Sequence, residues 1–192
     1  MKMIIAMPFP LLAGLILAVC LFAGGAWGAE GSFKAELPFA ITSSGQSLDA
    51  ETVSLVCKRV KLDHAFDNVM KIEELKGIKT LVIAMGGSAK GLGEAGIDEK
   101  GELQRVGALL AKAKEQKIKV IAVHVGGESR KGALSDKFID PVVAKADLLL
   151  VTEDSNKNGA FTNMAKAKKI PILVVKKSVD VGNALKGVFS VR

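Results

Sequence analysis

The 192-residue chain has no tyrosine, one tryptophan, two cysteines and two histidines. Each shortage closes a route. Nucleic-acid surfaces interleave basic residues with aromatic ones on which bases stack. Here the basic residues are scattered along helix-like stretches, as in Lys112, Lys114 and Lys117 or Lys166, Lys168 and Lys169, with no aromatic residue among them. The excess of 27 basic over 20 acidic side chains therefore reads as a solvated surface, and no nucleic-acid partner is expected. His64, His124, Cys20 and Cys57 are too widely separated for zinc-ligand spacing, so neither a metal nor a cofactor is expected. Cys57 shares helical spacing with Val53, Val56 and Val60 and reads as a core residue rather than a nucleophile.

What is present begins with an apolar segment. Lys2 is the sole charge before Glu30, and residues 11–26 form an uninterrupted apolar run of 16. That is short for a membrane span and suits the apolar core of a signal peptide. Ala26 and Gly28 are small residues at the −3 and −1 positions of a cleavage site near Gly28/Ala29. The expectation is a signal peptide over residues 1–28 and an exported protein, periplasmic or extracellular, with membrane anchoring as the alternative if the segment is retained. Removal would lower the formal charge from +7 to +6 and leave Cys57 without a disulfide partner. The remaining length suits one domain. Residues 29–36 read as a flexible lead and 37–192 as a single domain.

Along that domain, apolar strands alternate with amphipathic helices. Strands are expected at 37–42, 80–85, 119–125, 147–152 and 171–175, with a short edge strand within 62–66. Helices are expected at about 49–61, 99–116, 135–145 and 158–168, with a helical turn at 71–76 and a final helix around 181–189. Pro141 is expected near a first turn or at a kink. Strands built from unbroken Val, Ile and Leu are buried on both faces, which means a parallel sheet with helices on each side. The fold class is α/β: a single doubly wound, flavodoxin- or Rossmann-like three-layer sandwich of five or six mainly parallel strands.

In such a sheet, ligands bind beyond the carboxyl ends of the strands. Four strand tails here are polar: Ser43-Ser-Gly-Gln-Ser47, Gly86-Gly-Ser-Ala-Lys-Gly91, Gly126-Gly-Glu-Ser-Arg130 and Glu153-Asp-Ser-Asn156. Gly91-Leu-Gly93-Glu-Ala-Gly96 matches G-x-G-x-x-G, but a dinucleotide loop needs its first glycine directly after the strand and its last in the helix start. Five residues, Gly86 to Lys90, intervene. The better reading is a long loop in which Gly86, Gly87 and Ser88 turn backbone N–H groups toward an anion. Ser43, Ser44 and Gln46 on one side, and Gly126, Gly127, Glu128 and Arg130 on the other, complete the expected site, with Lys90 adding charge. Lys90 and Arg130 read equally well as solvated surface charges. Ser88, His124 and Asp154 could supply a nucleophilic set on paper, although no G-x-S-x-G elbow is present.

Three blocks carry a resemblance: Pro38-Phe-Ala-Ile-Thr-Ser-Ser-Gly-Gln-Ser47; Gly86-Gly-Ser-Ala-Lys-Gly-Leu-Gly-Glu-Ala-Gly-Ile-Asp98; and Val125-Gly-Gly-Glu-Ser-Arg130 with Leu134-Ser-Asp-Lys-Phe138. Together they resemble a family of small exported bacterial proteins catalogued as a domain of unknown function. The resemblance implies a single α/β domain behind a signal peptide and implies no activity. The functional expectation therefore comes from the loops: an extracytoplasmic protein binding a small polar or anionic solute, such as a carboxylate or other oxyanion. A membrane transporter or sensor is the partner to expect, and a site shared across a homodimer is an alternative for so small a lobe. Two other readings stand beside it, an exported hydrolase using His124 with Ser88 and a carboxylate, and an envelope partner-binding module without a ligand.

Overall fold

A computed structural model describes residues 33–189. The expected signal segment lies outside them. Six parallel strands form one sheet: β1 (Phe39–Ser44), β2 (Ala65–Phe66), β3 (Thr80–Met85), β4 (Lys119–His124), β5 (Leu148–Thr152) and β6 (Ile172–Val175), in the spatial order β2-β1-β3-β4-β5-β6. The helices are α1 (Asp49–Arg59), α2 (Ala89–Glu94), α3 (Glu99–Glu115), α4 (Ala133–Val143), α5 (Ala160–Lys168) and α6 (Val181–Val188).

Strand pleating sends successive side chains to opposite faces, so one strand feeds two cores. Leu81, Ile83 and Met85 pack with Val106, Leu109 and Ala113 of α3, Ile139 and Val142 of α4, and Phe161 of α5. Val82 and Ala84 face the other way, onto Val53, Val56 and Cys57 of α1 and Val181 and Leu185 of α6. Every residue of β1, β3 and β5 is buried, as continuous apolar strands of a parallel sheet require. Cys57 lies within the second core, where burial pushes its thiol pKa up to about 12, so it is inert at neutral pH.

Four expectations are corrected. β1 runs two residues later than the apolar pattern suggested, because Ser43 and Ser44 continue the ladder opposite Ala84 and Met85. The presumed long loop after β3 contains a helix, α2, started by the Ser88 hydroxyl accepting from the Gly91 N–H at 3.0 Å. Pro141 falls in the last turn of α4, since that helix starts at Ala133. Residues 33–36 are anchored rather than a flexible lead: Ala35 is buried and donates to the Val188 carbonyl, and Glu36 donates to Thr80 Oγ1.

The topology fixes where a ligand belongs. From β1 the chain passes through α1 to β2 on one side. It then returns across the opposite face, burying Met70 and Leu75 there, to β3 on the other side of β1. Connections therefore diverge between β1 and β3, and a crevice opens above their carboxyl ends.

Candidate functional site

Above that switch point lies a groove of about 720 Å³ lined by residues of five segments. Gln46 and Leu48 come from the tail of β1 and Glu51 from α1. Asn68 and Val69 follow β2, Ser88 to Ala95 belong to the α2 region, and Arg130 reaches in from the tail of β4. At the other end of the sheet a smaller hollow of about 290 Å³ is walled by Lys114, Lys117, Lys119, Lys145 and Asp147. Asp147 is committed there, accepting from the Val120 N–H at 2.8 Å.

The floor of the groove is held by a buried ion pair that sequence reasoning missed. Glu102, wholly buried on α3, accepts from the Gly45 N–H at 2.9 Å, from Gln46 Nε2 at 3.0 Å, and from Arg105 Nε and Nη2 at 2.8 Å. Arg105 also donates to the carbonyls of Ser43 at 2.6 Å and Met70 at 3.1 Å. Each charge thus has its hydrogen-bonding capacity filled, the condition under which a buried pair is tolerated. The pair ties the β1 tail to the β2–β3 connection. The signal was in the sequence: Glu102, Val106, Leu109 and Ala113 share one helix face, so a carboxylate stands in an apolar stripe with Arg105 one turn away.

The β1 tail is itself forced. Gly45 has φ +95° and Gln46 φ +57°, both left-handed. A Cβ on Gly45 would lie 2.6 Å from the Gly86 carbonyl oxygen. The payoff is geometric: Gln46 pairs with Gly87 across the switch point as an isolated antiparallel bridge. At Gly91 a Cβ would collide with the Gln46 carbonyl oxygen, so only glycine lets α2 close down on this tail.

Of the eleven residues expected to bind, the structure brings Gln46, Ser88, Lys90 and Arg130 to the groove. The backbone nest is not available. Gly86 donates to the Ser44 carbonyl, Gly87 to Ser135 Oγ, Ser88 to the Gly45 carbonyl, Gly127 to Ser155 Oγ, and Glu128 to Asp154 Oδ2. These amides are spent on closing the loops, so Gly86, Gly87 and Gly127 act as structure, and Gly126 packs against Arg130 and Asp49 outside the groove lining. Ser43 and Ser44 are strand residues, both fully buried, and Ser44 Oγ donates to the Phe138 carbonyl at 2.9 Å. Glu128 sits outside the groove, paired with Lys131 at 2.8 Å.

The hydrolytic alternative also meets a different arrangement. No hydrogen bond joins Ser88, His124 and Asp154 among the described residues. His124 is fully buried, 5.0 Å from the Phe161 ring between centroids, and its Nδ1 lies 2.8 Å from Ser155 Oγ. Ser155 Oγ also contacts Thr152 Oγ1 at 2.8 Å and the His124 carbonyl at 3.1 Å, and His124 Nε2 has no hydrogen-bond partner. Burial lowers the imidazole pKa to about 4, keeping it neutral at pH 7. His64 is bonded to Ser54 Oγ and the Leu62 carbonyl, away from the groove.

Asp49, at the start of α1, is a further buried carboxylate. Its Oδ2 lies against Gly86 and Gly126 and has no hydrogen-bond partner. Burial raises its pKa, and the positive charge of Arg130 partly offsets that rise.

A family model described as a domain of unknown function (DUF6305) matches residues 36–189, and the chain belongs to that family. No curated protein matches. Among solved structures, AlinE4, an SGNH-hydrolase family esterase, aligns over 73% of this chain and 76% of its own, at 8% identity and a TM-score of 0.31. A likeness that weak carries nothing about chemistry.

Proposed function

We propose that this DUF6305 member is an extracytoplasmic binding protein that holds a small polar, anion-bearing solute in the groove at the carboxyl ends of β1 and β3. One observation carries the reading: the groove of about 720 Å³ stands at the topological switch point, with Lys90 and Arg130 on its walls. Lys90 is 87% exposed and only loosely paired with Glu94, at 3.6 Å, so its ammonium is free to turn toward a ligand. Side chains rather than backbone amides do the binding, since the amides of Gly86, Gly87 and Gly127 are already used. The apolar run at residues 11–26 supports export, and a transporter or sensor at the membrane is the partner class that fits a one-lobed receptor. His124 and the Ser155 hydroxyl beside it are both fully buried, out of reach of a substrate in the groove, which favours binding over hydrolysis.

The test is a thermal-shift panel of carboxylates, phosphate, sulfate, sugars and nucleotides on wild type, Lys90→Ala and Arg130→Ala. A ligand of the folded state raises the melting temperature with concentration. The expected result is a shift from small carboxylates that both variants reduce. A panel with no shift, or one in which both variants respond like wild type, rejects the groove as the site.

A further inference from the structure

The geometry points to a narrower ligand class for this groove: a zwitterion, bearing a primary ammonium as well as a carboxylate, of amino-acid or short-peptide size. This rests on the binding reading above and adds the second charge. The groove has two unlike ends. On the β2 side, Asn68 Nδ2 donates to Glu51 Oε1 and locks the two side chains together. The Asn68 carbonyl is held by Gln46 Nε2 at 2.9 Å and by Thr42 Oγ1 at 3.3 Å. Once these bonds are made, Glu51 Oε2 and Asn68 Oδ1 remain, both shielded from water and both without a donor. Buried acceptors are almost always satisfied in native proteins, so two side by side on a groove wall mark a missing partner. A ligand ammonium supplies what both lack, N–H donors and, facing a carboxylate, positive charge. No cation among the described residues supplies it: Glu51 forms no ion pair there, and the salt bridges join Lys90 to Glu94, Arg105 to Glu102, Lys112 to Glu115, Lys131 to Glu128 and Lys137 to Glu99.

The β4 end is the reverse. Arg130 makes no ion pair among the described residues and lines the groove. Asp49 behind it is more than nine-tenths buried and attracts it without closing a salt bridge. A guanidinium in that state has donors to spare for a carboxylate, which it binds two-pronged. Because β1 and β3 lie between β2 and β4, the two ends stand about 14 Å apart, three strand spacings. An extended dipeptide, with one hydrogen bond outward from its ammonium and one from its carboxylate, bridges roughly that span. Leu48 and Val69, both exposed, offer apolar contact along the way.

The experiment is calorimetric titration of the protein with four probes: L-alanine, L-alanyl-L-alanine, propionate and propylamine. The expected result is that a zwitterion binds at least about tenfold tighter than either single-charge probe. Glu51→Gln should then weaken the zwitterion by about tenfold and leave propionate unchanged, while Arg130→Ala weakens both. Asn68→Ser gives the same loss as Glu51→Gln by removing the second acceptor, which guards against one variant failing to fold. Propionate binding as well as alanine, with Glu51→Gln silent, overturns the zwitterion and leaves the anion groove standing. Absence of heat from all four probes rejects both.

Discussion

Two polar clusters lie within reach of Gln46, and they are built on opposite terms. Beneath the groove, Glu102 and Arg105 are sealed and fully bonded to each other and to the backbone of the β1 tail. On its wall, Glu51 and Asn68 bond once to each other and leave two shielded acceptors unmet. A satisfied buried charge holds a fold in register. An unsatisfied one is tolerated at a net cost that stability alone does not explain. The first cluster is therefore assigned to structure and the second to ligand. The contrast makes a general demand: removing the first should damage the protein, and removing the second should damage only what it binds.

The largest effect is expected at Glu102. Glu102→Ala strands the Arg105 guanidinium, almost completely buried, and should cost about 3–5 kcal/mol in urea unfolding. A loss under 1 kcal/mol would erase the distinction between the clusters. His124 comes next, through pH. Its folded pKa is depressed from an ordinary 6.5 to about 4, so the folded state resists the proton that the unfolded chain accepts. Its contribution is complete above pH 6.5 and is lost as pH falls from 6.5 to 4, about 3 kcal/mol in total. Asp49, whose pKa is raised, works in the reverse sense and offsets part of this at the acid end. Unfolding measured at pH 7.5 and 4.5 should show the loss in wild type and much less of it in His124→Gln.

Gly45→Ala is a third test, of the tail that the first cluster supports. A Cβ there meets the Gly86 oxygen at 2.6 Å on a left-handed backbone, and the cost should be about 2 kcal/mol or more. The smallest effect belongs to the wall: Glu51→Gln should change stability by less than about 1 kcal/mol while it weakens ligand binding. Equal damage to stability from Glu51→Gln and Glu102→Ala would make both clusters structural.

The architecture was legible because its signals are local. The run Thr80–Met85 could only be a buried strand, and the observed β3 has those bounds. The valine spacing around Cys57 placed it in the core correctly. The carboxyl end of the sheet was also readable from its polar tails. What could not be read was how the loops spend their hydrogen bonds. Glycines at 86, 87 and 127 look the same in sequence whether their amides face a ligand or a neighbouring chain segment, and here they face Ser44, Ser135 and Ser155. α2 was hidden because Gly91 and Gly93 argue against a helix, yet the approach to Gln46 requires the first of them. Asn68 was invisible because it joins the groove only through the crossover from β2, a contact with Glu51 seventeen residues away.

The most direct measurement is an amide chemical-shift map of the protein titrated with L-alanyl-L-alanine. The account predicts perturbations confined to Gln46, Glu51, Asn68, Ser88 to Ala95 and Arg130, with the opposite end of the sheet silent. Perturbations gathered instead at Lys114, Lys117, Lys119 and Lys145, or a spectrum that does not move at millimolar dipeptide, would contradict it.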